Sequence, residues 1–373
     1  MDGIVERITA VSRRPASLGS VPRDAVSLAM GEPWQGTPPA IVDSAVEALR
    51  GGRTRYSPLT GSPTLKAAIA AHLEGRHGRR FAEDQVVCTH GASGGLAATV
   101  LAVVGPGDRV LIPEPTYSLY ADQVALAGGE VEWVANRPDG SVDVDAVVAA
   151  LPGTRLLVLC SPCNPTGNVV SAPDLAELSR AAASVGALLL CDEAYCDIVF
   201  DGRSFCSALD LPEIDHVICV RTFSKSYAMT GWRLGYVVAP PGLASGVNLV
   251  HRTFAGALGT FVQDAGVAAL ATPADELAES CAEYQRRRDL VIERLAALPR
   301  VTTAPPQGAF YAFVRVDTAL SADELAARCA DGGVLVRSGT EYGPSGEHAI
   351  RLSFAVGLEE LEVGLARLGK VLG

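Results

Sequence analysis

The stretch Ser224-Lys225-Ser226-Tyr227-Ala228-Met229-Thr230-Gly231-Trp232-Arg233-Leu234 decides the fold and the chemistry of this 373-residue chain. It follows an apolar, strand-like run, Val217-Ile218-Cys219-Val220, so Lys225 stands just beyond a buried strand. Burial disfavours the charged form of a lysine, and a neutral amine can condense with an aldehyde. Arg233 stays charged and can pair with a phosphate through its planar guanidinium. The pair suits pyridoxal 5'-phosphate (PLP), although a loop lysine and a surface arginine are the alternative.

Three more buried strands are predicted, and each runs directly into a polar or glycine-rich turn. The strands with their turns are 156–160 with 161–167, 187–191 with 192–195, and 86–89 with 90–95. Polar groups therefore gather where strands end, and open α/β sheets bind their ligands at that edge. A ligand site is expected there.

Together with Lys225, these segments resemble the class I/II aminotransferases, the aspartate-aminotransferase-like branch of the fold-type I PLP-dependent enzymes. The resemblance covers nearly the whole chain, from Gly31-Glu32-Pro33 to Arg351-Leu352-Ser353. It implies an aminotransferase that moves an amino group between an L-amino acid and a 2-oxo acid by a ping-pong mechanism, in amino-acid metabolism or biosynthesis.

The alternation of elements predicts an α/β fold. Strand-like and helical runs alternate from about residue 32 to 240, which favours a large, doubly wound, mainly parallel sheet. A helical link and a charged helix over 276–298 follow, with Arg286, Arg287 and Arg288 expected on a solvated face. The rest reads as a smaller α+β domain. The predicted division is an N-terminal arm, 1–30, packing with the small domain, a large PLP-binding domain, 31–258, and a small C-terminal domain, 259–373.

Composition excludes several kinds of partner. The net charge of −11 argues against nucleic acid or an anionic membrane surface. No apolar run is long enough to span a membrane, and the polar start predicts no signal peptide. The nine cysteines include four in apolar strands, which predicts buried thiols rather than disulfides. No metal-ligand spacing is present. The four strand cysteines are Cys88, Cys160, Cys191 and Cys219. We expect a soluble cytoplasmic enzyme without a metal.

The turn Gly91-Ala92-Ser93 is the predicted phosphate site, because it joins a strand to a helix start whose backbone N–H groups can hold an anion. Such a turn is often only a turn. The resemblance implies that it binds the cofactor phosphate, and that Thr222, Ser224 and Arg233 complete the site.

The cofactor ring is assigned partners by the same resemblance. Asp192 is placed against the pyridine nitrogen, where an ionised carboxylate keeps the ring electron-withdrawing; a cap or a sheet-end ion pair is the alternative. Tyr195 and Asn164 are implied to hydrogen-bond the ring hydroxyl, and Tyr117 to stack on the ring. Lys225 is the implied Schiff-base lysine and general base, and the predicted catalytic residues are Lys225, Asp192 and Tyr195.

Arg351 lies within an apolar strand, where an arginine needs a partner or an exposed face. The resemblance implies that it binds the α-carboxylate of the substrate through two N–H groups. The resemblance implies that Gly31 and Asn164 also approach the substrate. It sends Tyr56 to the phosphate of a neighbouring subunit, so a homodimer with shared active sites is predicted.

Departures from the family pattern leave the substrate open. Cys163 stands where the family often has Asn, Trp34-Gln35 replaces Asp-Phe, and 336–342 replaces the late Val-x-Pro-Gly-x-x-Phe pattern. These positions lie near the substrate in the family. Nothing in the sequence marks a second substrate arginine, so a preference for dicarboxylates stays undecided.

Two other functions are compatible with parts of the sequence. A PLP enzyme of the same fold could carry out elimination, γ-replacement or cyclisation in a biosynthetic pathway, because these reactions share the cofactor motifs. A non-enzymatic sensor domain of a transcription regulator is disfavoured, since no basic helix-turn-helix segment precedes Gly31 and the catalytic set is complete.

Overall fold

The computed structural model describes residues 3–13 and 24–373, and all structural statements refer to these. Short strands alternate with helices through most of the chain. The strands are β1 (Val26–Ser27), β2 (Val86–Thr89), β3 (Arg109–Glu114), β4 (Glu130–Ala135), β5 (Leu156–Cys160), β6 (Leu188–Asp192), β7 (Val217–Thr222), β8 (Gly235–Val238), β9 (Val301–Thr302), β10 (Tyr311–Val316), β11 (Val334–Leu335), β12 (Arg337–Ser338) and β13 (Ala349–Ser353).

The helices connect and cover these strands. They are α1 (Ile4–Val11), α2 (Pro39–Arg50), α3 (Pro63–His77), α4 (Gly91–Val103), α5 (Leu119–Ala127), α6 (Val144–Ala150), α7 (Ala172–Ser184), α8 (Pro241–Ala255), α9 (Thr260–Leu270), α10 (Ala274–Ala296), α11 (Ala322–Asp331) and α12 (Leu358–Leu372).

The larger sheet of the described residues has seven strands in the order β2-β8-β7-β6-β5-β3-β4. Its neighbours pair in parallel, except that β8 runs antiparallel to β2 and β7. Successive side chains of a strand point to opposite faces. In β5, Leu156 and Val158 pack in the cluster that contains α4 and α8 residues, while Leu157 and Leu159 pack with α6 and α7. Helices thus cover both faces, and the predicted doubly wound sheet is confirmed.

The smaller sheet has four antiparallel strands in the order β12-β13-β10-β9. Helices α10, α11 and α12 contribute Val291, Leu325 and Leu365 to the hydrophobic core beside it. In the register of β12 and β13, Arg337 lies directly opposite Arg351. The α+β character predicted for this part of the chain is confirmed.

The N-terminal arm contacts two different parts of the molecule. Its helix α1 packs on α5, where Arg7 Nε donates to the Ala125 carbonyl at 3.1 Å. Further along, β1 pairs with β11 beside the smaller sheet. Residues 1–2 and 14–23 of the predicted arm lie outside the described residues.

The predicted solvated face of α10 is wrong for two of its three arginines. Arg287 and Arg288 are buried, at 3% and 5% exposure. The Arg287 guanidinium lies 4.2 Å from the ring centroid of Trp34, and Arg288 pairs with Asp201. The run of arginines in the sequence cannot show that Trp34 and Asp201, from distant segments, contact two of them.

The four strand cysteines are buried, as predicted. Among the helices of the described residues, none combines the length and apolar character that crossing a bilayer requires.

Candidate active site

A cavity of about 460 Å³ lies between the carboxyl ends of the large-sheet strands and the smaller sheet. Most of the predicted site residues line it. Gly91 lies next to it at the start of α4, whereas Tyr56 lies elsewhere on the surface and is 97% exposed. The predicted residues that line the cavity are Gly31, Ala92, Ser93, Tyr117, Asn164, Asp192, Tyr195, Thr222, Ser224, Lys225, Arg233 and Arg351.

One end of the cavity is built to hold an anion. Helix α4 starts at Gly91, whose φ of +69° favours glycine, and a Cβ there would lie 2.7 Å from Arg233 Nη2. The first backbone N–H groups of a helix have no intrahelical acceptor. Thr222 Oγ1 donates to Ser224 Oγ at 2.9 Å beside them. Helix N–H groups, two hydroxyls and one guanidinium therefore converge where a phosphate would fit.

Asp192 is the last residue of β6 and is buried. Its Oδ2 accepts from the Tyr120 hydroxyl at 2.7 Å, and its Oδ1 accepts from the backbone N–H of Ala194 at 3.1 Å. Burial raises the pKa of Asp192 to about 6, although the bond from Tyr120 opposes this shift. A cation beside the carboxylate would lower this pKa again. The sequence motifs did not point to Tyr120 as a partner of this carboxylate, since an aromatic at the start of a helix is ordinary core packing.

Lys225 follows β7 and is half-buried. Its Nζ donates to the Gly31 carbonyl at 2.7 Å and lies 5.8 Å from the Tyr195 ring centroid. Burial lowers the pKa of Lys225 to about 8, with a further contribution from the positive charge of Arg233. A substantial neutral fraction near neutral pH makes this amine both a nucleophile and a base.

Tyr195 and Tyr311 form a hydroxyl pair on the cavity wall. Their oxygens are 2.8 Å apart, and their rings meet edge to face. Burial raises the pKa of Tyr195 well above its usual range, so the phenol stays protonated and can donate. Tyr311 also leaves no room for a side chain at position 31, because a Cβ on Gly31 would lie 1.9 Å from the Tyr311 hydroxyl oxygen.

Arg351 occupies the middle of β13 and is buried. Its Nη1 donates to Asn164 Oδ1 at 3.4 Å, and its Nη2 donates to the Ala29 carbonyl. The guanidinium carbon lies 4.4 Å from the Tyr311 ring centroid. Among the described residues, Arg351 Nε is buried without a hydrogen-bond partner. An unpaired buried donor is unfavourable, and a ligand carboxylate would satisfy it.

The cavity wall also contains an ion pair that the sequence interpretation missed. Arg337 Nε and Nη2 both donate to Glu341 Oε2, at 2.9 and 2.6 Å. Both residues line the cavity. The sequence marked no second arginine near the substrate, and the structure places Arg337 beside Arg351 on the cavity wall. A strand-pairing register would have been needed to find Arg337, because only that pairing places it beside Arg351.

The family model described as aminotransferase class I and II matches residues 23–368. The chain belongs to this family. An arginine–pyruvate transaminase of Pseudomonas aeruginosa is 35% identical over 91% of this chain and 88% of its own length. The aspartate/prephenate aminotransferase of Thermus thermophilus is 35% identical over 98% of this chain and 95% of its own. The predicted aminotransferase function and PLP cofactor are confirmed.

Solved structures give the same fold for members of the class I and II aminotransferases. The aspartate aminotransferase of T. thermophilus with maleate has a TM-score of 0.91 at 31% identity, covering 100% of both chains. The aromatic aminotransferase of Pyrococcus horikoshii has a TM-score of 0.92 at 33% identity, covering 99% of this chain and 98% of that one. The predicted fold-type I architecture is confirmed.

The residues of the cavity fit the cofactor of the family. The anion site at the start of α4 suits a phosphate, and the cradle depends on the missing Cβ of Gly91. The buried carboxylate of Asp192 suits a ring nitrogen that carries a proton, and the Lys225 amine suits an aldehyde. One cavity thus holds partners for each reactive part of PLP.

Proposed function

We propose that this aminotransferase moves the amino group of an L-amino acid to a 2-oxo acid by a ping-pong mechanism at the cavity around Lys225. One observation carries the proposal: a lysine with a pKa of about 8, a buried carboxylate and a buried arginine line the same 460 Å³ cavity. The comparisons with named aminotransferases favour amino transfer over elimination, γ-replacement or cyclisation.

PLP, when bound, supplies an aldehyde that condenses with amines and a ring that withdraws electrons from the substrate carbon. Thr222, Ser224, Arg233 and the N–H groups at the start of α4 would hold its phosphate. Tyr195 and Asn164 would hydrogen-bond the ring hydroxyl, and Tyr117 would pack on the ring. These residues would keep the aldehyde next to Lys225.

Asp192 holds the proton of the ring nitrogen. Its carboxylate is buried at a strand end and accepts two hydrogen bonds, so its position is fixed before the cofactor binds. The raised pKa of Asp192 falls when a positive nitrogen lies beside it, and the carboxylate then stays ionised. Asp192 and Tyr120 therefore act together, with Tyr120 as the positioning residue.

Lys225 moves the proton. Its Nζ takes the proton from the α-carbon of the substrate as general base, which requires the neutral amine. Burial and the charge of Arg233 favour that neutral form. Arg351 meanwhile binds the α-carboxylate through its forked N–H groups, with Gly31 and Asn164 beside it, and so points the α-hydrogen toward Lys225.

A half-reaction screen tests the proposal. Purified, PLP-loaded enzyme is mixed with each of the twenty amino acids without any 2-oxo acid, and the cofactor form and products are measured. Amino transfer converts the cofactor to its amine form once per site and releases one equivalent of 2-oxo acid. Continuous ammonia release with unconverted cofactor would instead establish elimination and contradict the proposal.

We further propose a homodimer in which Tyr56 reaches the phosphate site of the partner subunit. Tyr56 is 97% exposed and does not line its own cavity, and Leu59 and Phe254 are large exposed apolar side chains. Exposed apolar surface of this kind is typical of protein interfaces. Sedimentation of the active enzyme as a monomer would contradict this assembly.

The domain division is also proposed, with a large domain over 31–258 and a small domain over 259–373. Its support is the separation into two main sheets, one within 86–238 and the other within 301–353. Helix α9, at the start of the second range, packs on α2 and α3 of the first, and its Ala265 and Ala269 lie in the core beside the large sheet. The buried free thiols of Cys88, Cys191 and Cys219 support a reducing compartment such as the cytoplasm.

A further inference from the structure

The ion pair of Arg337 with Glu341 lines the same cavity as Lys225, Asp192 and Arg351. Both N–H groups that bind Glu341 go to one oxygen, Oε2. A guanidinium has five N–H donors, so others remain for a ligand. The Arg337 side chain keeps 15% of its surface exposed, against 5% for Glu341. The arginine is therefore the member of the pair that a substrate can reach.

Arg337 and Arg351 lie directly opposite each other on neighbouring antiparallel strands. Side chains at such positions share one face of the sheet and lie close together. Two like charges in this arrangement repel each other, and the Glu341 carboxylate offsets the repulsion. A ligand carboxylate on Arg351 thus places the rest of the same ligand near Arg337.

We propose that Arg337, held by Glu341, determines side-chain specificity and selects substrates whose side chain ends in a neutral hydrogen-bond acceptor, as in a carboxamide. The inference rests on the proposed function, in which Arg351 binds the α-carboxylate.

The balance of charge separates this substrate class from the others. Two guanidiniums and one carboxylate leave the group with one positive charge, and the α-carboxylate of the substrate neutralises it. A second carboxylate on the substrate leaves an uncompensated negative charge, and a cationic side chain leaves a positive one. Uncompensated buried charge is strongly unfavourable. With a neutral substrate side chain, the charges of the two arginines, Glu341 and the α-carboxylate sum to zero.

Hydrogen bonding separates the carboxamide from an apolar side chain. An apolar group covering Arg337 would exclude water from N–H donors without replacing its hydrogen bonds. The carbonyl of a carboxamide accepts from them.

The other charged groups of the cavity have different roles: Asp192, Lys225 and Arg233 serve the cofactor, and Glu32 is exposed and accepts from Thr230.

The first test compares glutamine, glutamate and methionine, which have side chains of similar length and different ends. The measurement is the second-order rate of the amino-donor half-reaction. We expect glutamine to exceed each of the others by roughly 5- to 150-fold, the effect of leaving one buried polar group unpaired. Calorimetric titration of the loaded enzyme should likewise give tighter binding of the monoamide of glutarate than of glutarate itself.

Two variants test the assignment to this pair. Glu341→Gln removes one negative charge, so the preference should shift from glutamine toward glutamate. Arg337→Met removes the donors, so the advantage of glutamine over methionine should disappear. Ratios within one variant are independent of the amount of folded enzyme. The exposed Arg328→Met on α11 is the matched control and should keep the wild-type ratios.

The outcomes distinguish this inference from the proposed function. Conversion of the cofactor by alanine with equal rates for the three longer substrates would overturn the inference and leave amino transfer standing. Unchanged ratios in both Glu341→Gln and Arg337→Met would overturn it as well. Failure of every amino acid to convert the cofactor would overturn both.

Discussion

The two walls of the active-site cavity are built in different ways. The sheet-end wall consists of residues at the ends of the large-sheet strands and in the adjoining turns, with Asp192, Lys225 and Arg233 as its charged members. The small-sheet wall consists of Arg337 and Arg351, which lie within strands and face each other across a pair. The sheet-end wall is built from strand-end turns, and each turn can be identified from a short stretch of sequence. The small-sheet wall depends on which strands pair and in which register.

We expect the two walls to have different tasks. In the proposed function, the sheet-end wall provides the phosphate cradle and the proton-transferring lysine. Residues within paired strands have fixed spacing, and in the same proposal the small-sheet wall binds the substrate. Variants of the sheet-end wall should therefore reduce turnover or cofactor binding, whereas variants of the small-sheet wall should change substrate affinity and selectivity.

The largest effect is expected for Lys225→Ala, which removes the amine of the sheet-end wall. Turnover should fall by about 10⁴-fold or more, since both the covalent attachment and the general base are lost. Borohydride reduction of the wild-type enzyme followed by peptide mass mapping should label Lys225. The other lysines are Lys66 and Lys370, and the exposed Lys370→Ala serves as control. Label on Lys66 would sink the site assignment.

The next largest effect is expected for Asp192→Asn, which keeps the shape of the side chain and removes its charge. The half-reaction should slow by about 10²- to 10³-fold, because the proton on the ring nitrogen loses its partner. Bound cofactor should remain measurable by its absorbance, since the phosphate cradle is intact. Tyr120→Phe removes only the 2.7 Å hydrogen bond and should show a smaller loss in the same direction. Near-normal turnover in Asp192→Asn would show that the ring is held by another group.

Arg351→Lys tests the small-sheet wall. The lysine keeps the charge and loses the forked geometry, so KM should rise by roughly 10- to 10³-fold for every amino acid. The retention of PLP should stay unchanged, and this separates the walls. Arg294→Lys, on the exposed side of α10, is the control. A large loss of cofactor in Arg351→Lys, with KM unaltered, would mean that the two walls do not divide the work as described.

The Tyr56→Phe variant tests whether a second chain contributes its Tyr56 hydroxyl to the phosphate site of the sheet-end wall. Loss of one hydrogen bond to a charged group should weaken PLP retention by roughly 10- to 100-fold. The covalent link to Lys225 should survive. Equilibrium dialysis of the reduced-affinity variant measures the effect.

A subunit-mixing experiment with two impaired variants also tests the role of Tyr56 between subunits. Tyr56→Ala and Lys225→Ala subunits should regenerate activity when exchanged, because one site of the mixed dimer carries neither change. Well-exchanged mixtures that remain inactive would contradict the role of Tyr56 between subunits.

The smallest effect concerns the support beneath the phosphate cradle. His251 is fully buried and accepts from the backbone N–H of His90 at 3.2 Å, directly before Gly91. Burial lowers the pKa of His251 to about 4, with a further contribution from His90. The unfolded chain binds this proton near pH 6.5, so the stabilisation is present above pH 6.5 and is lost as pH falls toward 4. Thermal unfolding at stepwise lower pH should show it.

The control for this pH effect is the exposed His348→Asn, which leaves His251 and His90 in place. His251→Asn should flatten it between pH 6.5 and 4. An unchanged slope in His251→Asn would assign the acid sensitivity to other groups.

The sequence predicted the sheet-end wall almost completely. Each of its residues belongs to a short motif that follows an apolar strand, and parallel strands bring those ends to one edge. Tyr120 and Tyr311 were missed, because a buried aromatic looks like core packing until its hydroxyl partner is known. Arg337 was missed for a different reason: its place beside Arg351 depends on a pairing between short strands. The burial of Arg287 and Arg288 was missed for a similar reason, since the Trp34 ring and the Asp201 carboxylate that contact them come from distant segments.

The short segment that ends at Gly31 has a consequence for ligand affinity. Its carbonyls accept from both working cations, Ala29 from Arg351 and Gly31 from Lys225. The Gly31 carbonyl therefore competes with the cofactor for the Lys225 amine, because the covalent link replaces a hydrogen bond to a charged group worth roughly 1.5–3 kcal/mol. The acceptor is a backbone atom, so no side-chain substitution can delete it. The affinity of this enzyme for its cofactor is thus a difference between two partners of Lys225, the cofactor and the main chain.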